Sequence, residues 1–313
     1  MTLACGIDVG GTKIAGGVVD EHGKILEELR VESPATDAEA MEAAIADLVS
    51  QLSSRHSIES VGVGAAGYID KSRAVVLFAP NLAWRNVDLR SDLEKRVDLP
   101  VVIENDANAA AWGEFRFGAG HDVDDLMLVT VGTGVGGGLV HDGALYRGAF
   151  GVGAEIGHMR VVPDGILCGC GKHGCFEQYA SGSALVREVR AVAGRGSAPA
   201  RNLLERAGGD PQRITGPLVT AAARDGDPFA LEQLAALGTW LGEGIASLTE
   251  ILDPAVVVVG GGVSEADELL LDPVRAAFAA QMPDRDFRPS LEIRKARLGN
   301  RAGLIGAADL SRS

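Results

Sequence analysis

Short apolar runs separated by glycine-containing turns open the chain. Leu3–Val9 is followed by Gly10-Gly11-Thr12, by a second apolar run at Lys13–Val19 and by a third at residues 24–31. Runs of this length that are rich in valine and isoleucine and bounded by turn residues predict β-strands. Because the turn between the first two strands is short, we predict that these two are antiparallel neighbours.

The same pattern recurs in the middle of the chain. Leu126–Val131 is followed by a Gly132-Thr133-Gly134 turn, a second run at residues 135–140, another turn and a short third run. Repetition of a whole group of elements is the signature of an internal duplication. We therefore predict an α/β fold that is built from two related halves.

Helical patterns lie between and after these strand groups. Thr36-Asp-Ala-Glu39 has the sequence of a capping box and predicts a helix that ends near Leu52. Asp227-Pro228 predicts the start of a long helix, since proline fits the first helical position. Leucine and isoleucine recur at helical spacing from Leu234 to Leu252. That long helix should lie in the core.

Three glycine-rich turns are candidates for nucleotide binding. They are Asp8-Val-Gly10-Gly11-Thr12-Lys13, Gly132-Thr133-Gly134 and, after an apolar run at residues 255–259, Gly260-Gly261-Gly262. Backbone N–H groups that no side chain shields can surround phosphate oxygens, and the Asp8 carboxylate can face the Mg²⁺ that accompanies them. We predict that the first two turns bind phosphates from both halves and that the third lies against the adenine ring.

Two other nucleotide-binding motifs fail on their context. The lysine of a Walker P-loop opens a helix, whereas Lys13 opens a predicted strand. Gly62-x-Gly64-x-x-Gly67 and Gly132-x-Gly134-x-x-Gly137 match the dinucleotide pattern, but a strand-like run follows each of them where that pattern requires a helix. We therefore do not expect NAD binding.

A group of polar residues follows the predicted strand at residues 101–103. Glu104-Asn105-Asp106-Ala-Asn108 leads from this strand into a predicted helix. Side chains at the carboxyl end of a strand in an open α/β sheet face the ligand site. Asp106 can therefore face the ligand site, with the alternative that it only caps the helix.

One later segment combines four soft metal ligands. Three of the four cysteines of the chain, Cys168, Cys170 and Cys175, lie there, and His158 precedes them. A Cys₃His set is typical of a closed tetrahedral zinc site with a structural role. Two alternatives stay open: His173 is the fourth ligand, or the thiols are unrelated residues of a glycine-rich loop. Three cysteines cannot pair evenly, which disfavours disulfides.

The same segment predicts a site for hydroxyl groups. A histidine that binds metal through one ring nitrogen offers the other nitrogen to an oxygen, so His158 can hold a substrate hydroxyl. Glu155 and Glu177 flank the ligands in sequence and can bind further hydroxyls. We therefore expect the chemistry to lie beside the metal.

Composition narrows the classes of partner. Glycine occurs 42 times in 313 residues, which is about twice the usual share. A formal net charge of −14 without a cluster of Lys and Arg disfavours nucleic acid. No apolar run approaches the about 18 residues of a membrane span, and residues 1–6 carry no export signal. We expect a cytoplasmic protein without membrane contact.

The motifs occur in an order that resembles the ROK family of sugar kinases and repressors. The matching stretches are Asp8-Val-Gly-Gly-Thr, Glu104-Asn-Asp-Ala-Asn, Gly132-Thr-Gly, Glu155-Ile-Gly-His158, Cys168-x-Cys-x₄-Cys175-x-Glu177 and Gly260-Gly-Gly-Val. They extend over nearly the whole chain, and the cysteine spacing makes the set specific. Within the family, the resemblance is closest to bacterial ATP-dependent glucokinases.

The resemblance implies an actin-like ATPase fold, which is ribonuclease H-like, with two domains around a central cleft. It implies an amino-terminal α/β domain at residues 1–108 that is joined by a C-terminal helix at 300–313. A larger α/β domain at 109–299 would carry the metal segment at 153–177. A homo-oligomer, either a dimer or a dimer of dimers, is implied as well.

A sugar site is implied by the same resemblance. Its residues are Gly67, Asn81, Asn105, Asp106, Glu155, His158 and Glu177. Many relatives have Pro-Gly where this chain has Ala66-Gly67, so the sugar loop differs locally. The implied ligands are glucose, ATP with Mg²⁺, and a structural Zn²⁺.

The implied reaction transfers the γ-phosphoryl of ATP to the 6-hydroxyl of glucose, with Asp106 as the general base. An ordinary pKa of about 3.9 would make Asp106 a weak base, which orients the hydroxyl and accepts its proton late. We also expect the two halves to close over the sugar, because water in the site would hydrolyse ATP.

Several alternatives to this reaction stay open. The acceptor is another hexose, such as fructose, mannose or an N-acetylated amino sugar, or the donor is polyphosphate. A ROK repressor needs a DNA-binding domain before the first phosphate strand, and here that strand starts at Leu3, so we expect an enzyme. An ATPase that acts on protein conformation would not need Glu155, His158 and Glu177.

Overall fold

The structure, a computed structural model, describes residues 2–282, 287, 289 and 291–312. Its strands are β1 (Leu3–Val9), β2 (Lys13–Val19), β3 (Ile25–Glu32), β4 (Ile58–Ala65), β5 (Tyr68–Ile69), β6 (Val76–Phe78), β7 (Arg85–Val87), β8 (Val101–Asn105), β9 (Leu126–Val131), β10 (Val135–His141), β11 (Ala144–Tyr146), β12 (Val256–Gly260) and β13 (Glu292–Lys295).

The α-helices alternate with these strands. They are α1 (Ala38–Ser53), α2 (Leu89–Val97), α3 (Asp106–Phe117), α4 (Glu177–Ala180), α5 (Gly182–Gly194), α6 (Arg201–Arg206), α7 (Gly216–Arg224), α8 (Pro228–Leu252), α9 (Glu268–Gln281) and α10 (Ala302–Leu310). Residue 313, the last one of the predicted C-terminal helix, lies outside the described residues. Within the described ranges, no helix has both the length and the apolarity to cross a bilayer.

The predicted amino-terminal strands form a five-stranded sheet in the order β3-β2-β1-β4-β8. β1 and β2 are antiparallel neighbours, as predicted, and β3 pairs antiparallel with β2, whereas β4 and β8 run parallel to β1. The register sets Asp8 beside Gly64 of β4, and Ala65 of β4 beside Asn105 of β8. The carboxyl ends of β1, β4 and β8 therefore share one edge of the sheet.

A second five-stranded sheet has the order β11-β10-β9-β12-β13. In both sheets the first strand of the group is central, the next two strands lie on one side, and two later strands lie on the other. β10 and β11 are antiparallel, and β12 and β13 are parallel. The repeated order confirms the predicted duplication. A small third sheet, β5-β6-β7, was not predicted from the sequence.

Alternation along β1 gives the first sheet two packed faces. Cys5 and Ile7 belong to the core cluster that contains the buried side chains of α1, whereas Ala4 packs with α10 on the other face. Glycine at positions 6 and 62 lets α10 approach this face, since a Cβ at either position would clash with a backbone carbonyl of α10. The close approach explains why these strands carry glycine inside a buried run.

Helix starts follow local capping, with one correction. The side chain of Asp37 accepts a hydrogen bond from the backbone N–H of Ala40 at 3.1 Å, so α1 begins one residue later than a cap at Thr36 predicts. For α8, Asp227 caps the helix as predicted and accepts from Ala230 N at 2.8 Å. Leu234, Leu237, Leu241, Ile245 and Leu248 of α8 are buried, so this face of the helix lies in the core, whereas Leu252 at its end is exposed.

Internal packing distinguishes two compact units. The first comprises Met1–Leu128, Gly137–Glu155 and Ala296–Ser313, and the second comprises Val129–Gly136 and Ile156–Lys295. Residues 109–128 thus belong to the first unit, whereas the sequence predicted a boundary after residue 108. That boundary would have cut α3, which packs along α10 within the first unit.

Candidate active site and metal centre

Two carboxylates lie at the carboxyl edge of the first sheet. Asp8 is the penultimate residue of β1, and Asp106 is the first residue of α3, directly after β8. Burial, together with the negative charge of Asp106, raises the pKa of Asp8 to about 6. Burial also raises the pKa of Asp106, although backbone N–H groups at the start of α3 oppose this shift. The expectation that the pKa of Asp106 has its ordinary value is therefore wrong.

Asn105 caps α3, so the alternative that Asp106 is only the helix cap is wrong. The Asn105 Oδ1 atom accepts a hydrogen bond from Asn108 N at 2.9 Å. Its Nδ2 atom donates to Gly67 O at 3.1 Å. The amide therefore ties the β4–β5 turn to the start of α3, and it leaves the Asp106 carboxylate available for the site.

The first predicted phosphate turn connects β1 and β2. Gly10 N donates to Lys13 O at 3.0 Å, which closes the turn, and Gly11, Thr12 and Lys13 are exposed. A Cβ at position 11 would lie 3.9 Å from the backbone oxygen of Asn81. The structure thus brings Asn81, in the loop between β6 and β7, to this turn.

In the second unit, two predicted nucleotide turns lie side by side. Gly132 N donates to Gly134 O at 3.0 Å within the β9–β10 turn. After β12, Gly261 has φ +84°, and a Cβ on it would lie 2.5 Å from Val131 O. Gly260-Gly261-Gly262 therefore follows the backbone of the strand that leads into the β9–β10 turn.

The start of α5 lies against the same turn and was missed from the sequence. α5 begins at Gly182. Gly182 N donates to Gly132 O at 2.8 Å, and the side chain of Ser181 caps the helix. The amino end of a helix carries a partial positive charge that favours phosphate. The signal in the sequence was Ser181 as an N-cap residue.

Four side chains in the second unit are grouped as metal ligands. Ligand atoms of His158, Cys168, Cys170 and Cys175 all lie within 4.8 Å of one another. Cys170 Sγ lies 3.6 Å from Cys175 Sγ, and Cys168 Sγ lies 3.7 Å from His158 Nδ1. These separations match the edges of about 3.8 Å in a tetrahedron with metal–sulfur bonds of about 2.3 Å. The donor set therefore fits a tetrahedral metal ion.

The backbone of the metal segment is folded tightly around the ligands. Cys168 N donates to Lys172 O at 2.8 Å. Gly174 has φ +75°, and a side chain there would clash with the carbonyl of Val162. His173, the alternative ligand, is exposed and contacts Gly165 O at 2.9 Å through Nδ1. The structure groups His158 with the thiols and leaves His173 outside.

Glu177 links the metal ligands to the second phosphate turn. Its Oε1 atom lies 3.0 Å from Cys168 Sγ and 3.7 Å from His158 Nδ1. A Cβ on Gly134 would lie 2.5 Å from Glu177 Oε2. Because His158 turns Nδ1 toward the thiols, Nε2 is the ring nitrogen that can meet a hydroxyl.

The predicted sugar residues divide between the two units. Gly67, Asn81, Asn105, Asp106 and Glu155 belong to the first unit, and His158 and Glu177 belong to the second. Glu155 is half-buried and directly precedes the point at which the chain passes into the second unit. Glu104 was quoted only as part of a motif, yet its side chain is 1% exposed and forms ion pairs with Arg73 and Arg147.

Comparison with known proteins gives full-length matches. A model of the ROK family matches residues 4–313. The glucokinase of Streptomyces coelicolor is 49% identical over 312 residues, which are 100% of this chain and 98% of that protein. A ROK family glucokinase from Streptomyces griseus, whose crystal structure contains glucose and AMPPNP, is 52% identical with a TM-score of 0.92 and 99% coverage of both chains.

A more distant structure agrees. The ROK hexokinase from Thermus thermophilus is 34% identical with a TM-score of 0.81, covering 99% of this chain and 98% of its own. The repeated sheet order and these full-length similarities identify the actin-like ATPase fold that the resemblance implied. The chain belongs to the ROK family.

Proposed function

We propose that the protein is a glucokinase, which transfers the γ-phosphoryl group of ATP to the 6-hydroxyl of glucose. The observation that carries this proposal is the 52% identity, over 99% of both chains, to a glucokinase that binds glucose and AMPPNP in its crystal structure. The carboxylate pair beside a phosphate turn supports the same reaction.

Asp106 is the proposed general base. Its burial raises its pKa above the ordinary value for aspartate, and a carboxylate with a higher pKa accepts a proton from a hydroxyl more readily. Its position at the first turn of α3 keeps it beside the carboxyl ends of β4 and β8. In this role Asp106 orients the 6-hydroxyl and takes its proton as the phosphoryl group is transferred.

Asp8 is the residue that we propose to face Mg²⁺. A carboxylate whose pKa is raised to about 6 by burial and by Asp106 is destabilised when ionised, and a cation beside it would relieve this cost. When bound there, Mg²⁺ would neutralise negative charge on the phosphate groups. Gly10, Gly11, Thr12 and Lys13 in the first unit, and residues 132–134 and 260–262 in the second, are the proposed nucleotide residues.

We assign glucose recognition to Gly67, Asn81, Asn105, Asp106, Glu155, His158 and Glu177. Carboxylates and a histidine nitrogen are hydrogen-bond partners that suit the hydroxyls of a hexose. Asn105 already binds Gly67 O and caps α3, so its internal bonds order the strand end that also carries Asp106. Its second amide hydrogen is the group that we assign to the sugar.

Zinc is the metal that we propose for the Cys₃His group. Three thiolates and one imidazole in a tetrahedral arrangement form a closed site, which has no open position for substrate. The ion would fix the ring of His158 through Nδ1 and would hold the segment that begins α4 at Glu177. We also propose that the protein is cytoplasmic, binds no nucleic acid and forms a dimer or a dimer of dimers.

The test is a coupled assay of the purified protein with ATP or polyphosphate as donor and a panel of sugars as acceptors. The panel contains glucose, fructose, mannose, N-acetylglucosamine and N-acetylmannosamine. The proposal predicts the highest kcat/KM for glucose with ATP. A higher kcat/KM for another sugar, or for polyphosphate as donor, would contradict the proposal. It would favour one of the alternative substrates that the sequence left open.

A further inference from the structure

A buried carboxylate that is not assigned to substrate, Glu104, lies directly before Asn105 and Asp106 in the sequence. The side chain of Glu104 lies inside the first unit and is 1% exposed. Its Oε1 atom accepts hydrogen bonds from Asn105 N at 3.0 Å and from Asn108 Nδ2 at 3.1 Å. Glu104 therefore holds both the end of β8 and the first turn of α3.

Two arginines neutralise this carboxylate. Arg147 Nε lies 2.8 Å and Arg73 Nε lies 3.2 Å from Glu104 Oε2. Charged residues are buried at this depth only when they are paired, because an unpaired charge loses its hydration without compensation. The two arginines nevertheless differ in what else they contact.

Arg147 extends from Glu104 to the backbone after β5. Its Nη1 and Nη2 atoms donate to Lys71 O and Asp70 O, each at 2.9 Å. With the bond to Glu104, the planar guanidinium fixes three acceptors in one geometry, which an ammonium group cannot do. Arg147 is thus bound simultaneously to β8 and to the β5–β6 turn.

The segment that follows Arg147 is docked on the same turn and ends at Glu155. Gly153 N donates to Arg147 O at 3.0 Å. Gly151 has φ +91°, and a Cβ on it would lie 2.6 Å from the carbonyl carbon of Asp70. Residues 147–155 therefore pack on the β5–β6 turn, to which the side chain of Arg147 also binds.

We propose that Arg147 is a positioning residue for the sugar site: with buried Glu104, it fixes the segment that ends at Glu155 relative to the strand end that carries Asn105 and Asp106. This inference rests on the proposed function. A hexose contacts several segments at once, and small displacements of such groups cost much of the rate. Arg147 acts through these segments and does not itself touch the substrate.

The test compares Arg147→Gln, Arg147→Lys and Arg73→Gln by steady-state kinetics and thermal unfolding. Arg147→Gln should raise the KM for glucose about 10- to 100-fold and leave the KM for ATP within about twofold, because only the sugar segments lose their alignment. Arg147→Lys retains the charge beside Glu104 but cannot keep all three bonds, so it should fold like wild type and still raise the glucose KM about tenfold.

Arg73→Gln is the matched control. It removes the same charge from the same carboxylate, and so it should lower the melting temperature as Arg147→Gln does. It keeps the Arg147 bonds to residues 70 and 71, and so its glucose KM should stay within about threefold of wild type.

Three results would overturn the inference: a wild-type glucose KM in Arg147→Lys, an equal rise in Arg73→Gln, or a parallel rise in the KM for ATP. If Arg147→Gln does not fold, Arg147→Lys decides the question. An inactive wild-type enzyme would overturn the proposed function and this inference together. If the wild-type enzyme is active and the Arg147 substitutions leave the KM for glucose unchanged, only the inference would be overturned.

Discussion

The two halves repeat one strand order but carry different chemistry at corresponding positions. The first has Asp8 two residues before Gly10, whereas the second has Thr130 two residues before Gly132. Only the first turn therefore adjoins a carboxylate pair with raised pKa values. The second turn adjoins Glu177 and, through it, the metal ligands.

This difference shows which features the duplication kept. Both copies retain glycine turns after the central strand, because the backbone geometry that surrounds a phosphate depends on small residues more than on side-chain chemistry. Groups that transfer protons or fix a histidine ring need specific side chains, and each lies in one copy. We therefore propose that the first half carries the carboxylates for phosphoryl transfer together with most of the sugar residues, and that the second half adds the metal-supported sugar contacts of His158 and Glu177.

The largest expected effect comes from removing the negative charge of Asp106 in the first half. Asp106→Asn keeps the size of the side chain, so the fold should persist while kcat falls about 10²- to 10⁴-fold through loss of the general base. Asp225→Asn, an exposed substitution in the second unit, is the control and should leave kcat unchanged. Turnover above a tenth of wild type in Asp106→Asn would remove Asp106 from the proposed role.

The next effect concerns the metal centre of the second half. Cys168→Ser, Cys170→Ser and Cys175→Ser should each lose zinc and weaken glucose binding about 10- to 100-fold, because the metal holds the ring of His158 in place. The affinity for ATP should change much less. Elemental analysis and glucose KM are the measurements.

Cys5→Ala is the control for the cysteine variants, since Cys5 is buried in the first unit and should not alter zinc content. His158→Gln should give an intermediate defect, because an amide can keep one hydroxyl contact. Wild-type protein without near-stoichiometric zinc would refute the proposed metal site.

A smaller effect is expected at the second phosphate turn. A Cβ on Gly132 would have no described neighbour within 4 Å, so Gly132→Ala should not destabilise the fold. It would occupy space beside the backbone N–H groups, and we expect the KM for ATP to rise about tenfold. Gly194→Ala, at the end of α5 and equally unobstructed, should leave the KM for ATP unchanged. An unaltered ATP KM in Gly132→Ala would argue against phosphate binding there.

The smallest effect is a pH dependence of stability in the first half. Without ligands, the pKa of Asp8 is raised to about 6 in the folded protein, against about 3.9 when unfolded. Between these values the folded state holds a proton that the unfolded chain has released, so wild-type stability should fall as pH rises.

Asp8→Asn lacks the titrating carboxyl group and therefore serves as the reference for the wild-type protein. The free energy of unfolding of wild type, relative to Asp8→Asn, should decrease by up to about 3 kcal/mol from pH 4 to pH 7. Urea unfolding in the absence of nucleotide and Mg²⁺ measures it. A difference that stays constant or increases with pH would contradict the raised pKa.

Much of this fold could be predicted because local signals agreed with the tertiary structure. The bounds of β1 and β2 follow from apolar runs and turn residues, and α8 begins where Asp227-Pro228 indicates. The start of α1 was misassigned because Thr36 and Asp37 are both good cap residues, and only the backbone conformation selects Asp37. The two-residue strand β5 is too short to leave a periodic signal.

Candidate site residues were predictable where their chemistry is distinctive. Four metal ligands at close spacing mark a cluster by composition alone. The raised pKa of Asp106 depends on burial by residues distant in sequence, and the pairing of Glu104 with Arg147 joins residues 43 positions apart. No local pattern records such contacts, which is why Glu104 and Arg147 were not singled out.

Glucose binding to Asp106→Asn and Cys168→Ser, measured side by side by calorimetry, tests the division between the halves most directly. Asp106 is one of the residues assigned to glucose, but the amide of Asp106→Asn can still hydrogen-bond the 6-hydroxyl, so this variant should bind glucose within about threefold of wild type while it is nearly inactive. Cys168→Ser should bind glucose at least about tenfold more weakly. Wild-type glucose affinity in Cys168→Ser, together with strongly weakened affinity in Asp106→Asn, would contradict the account.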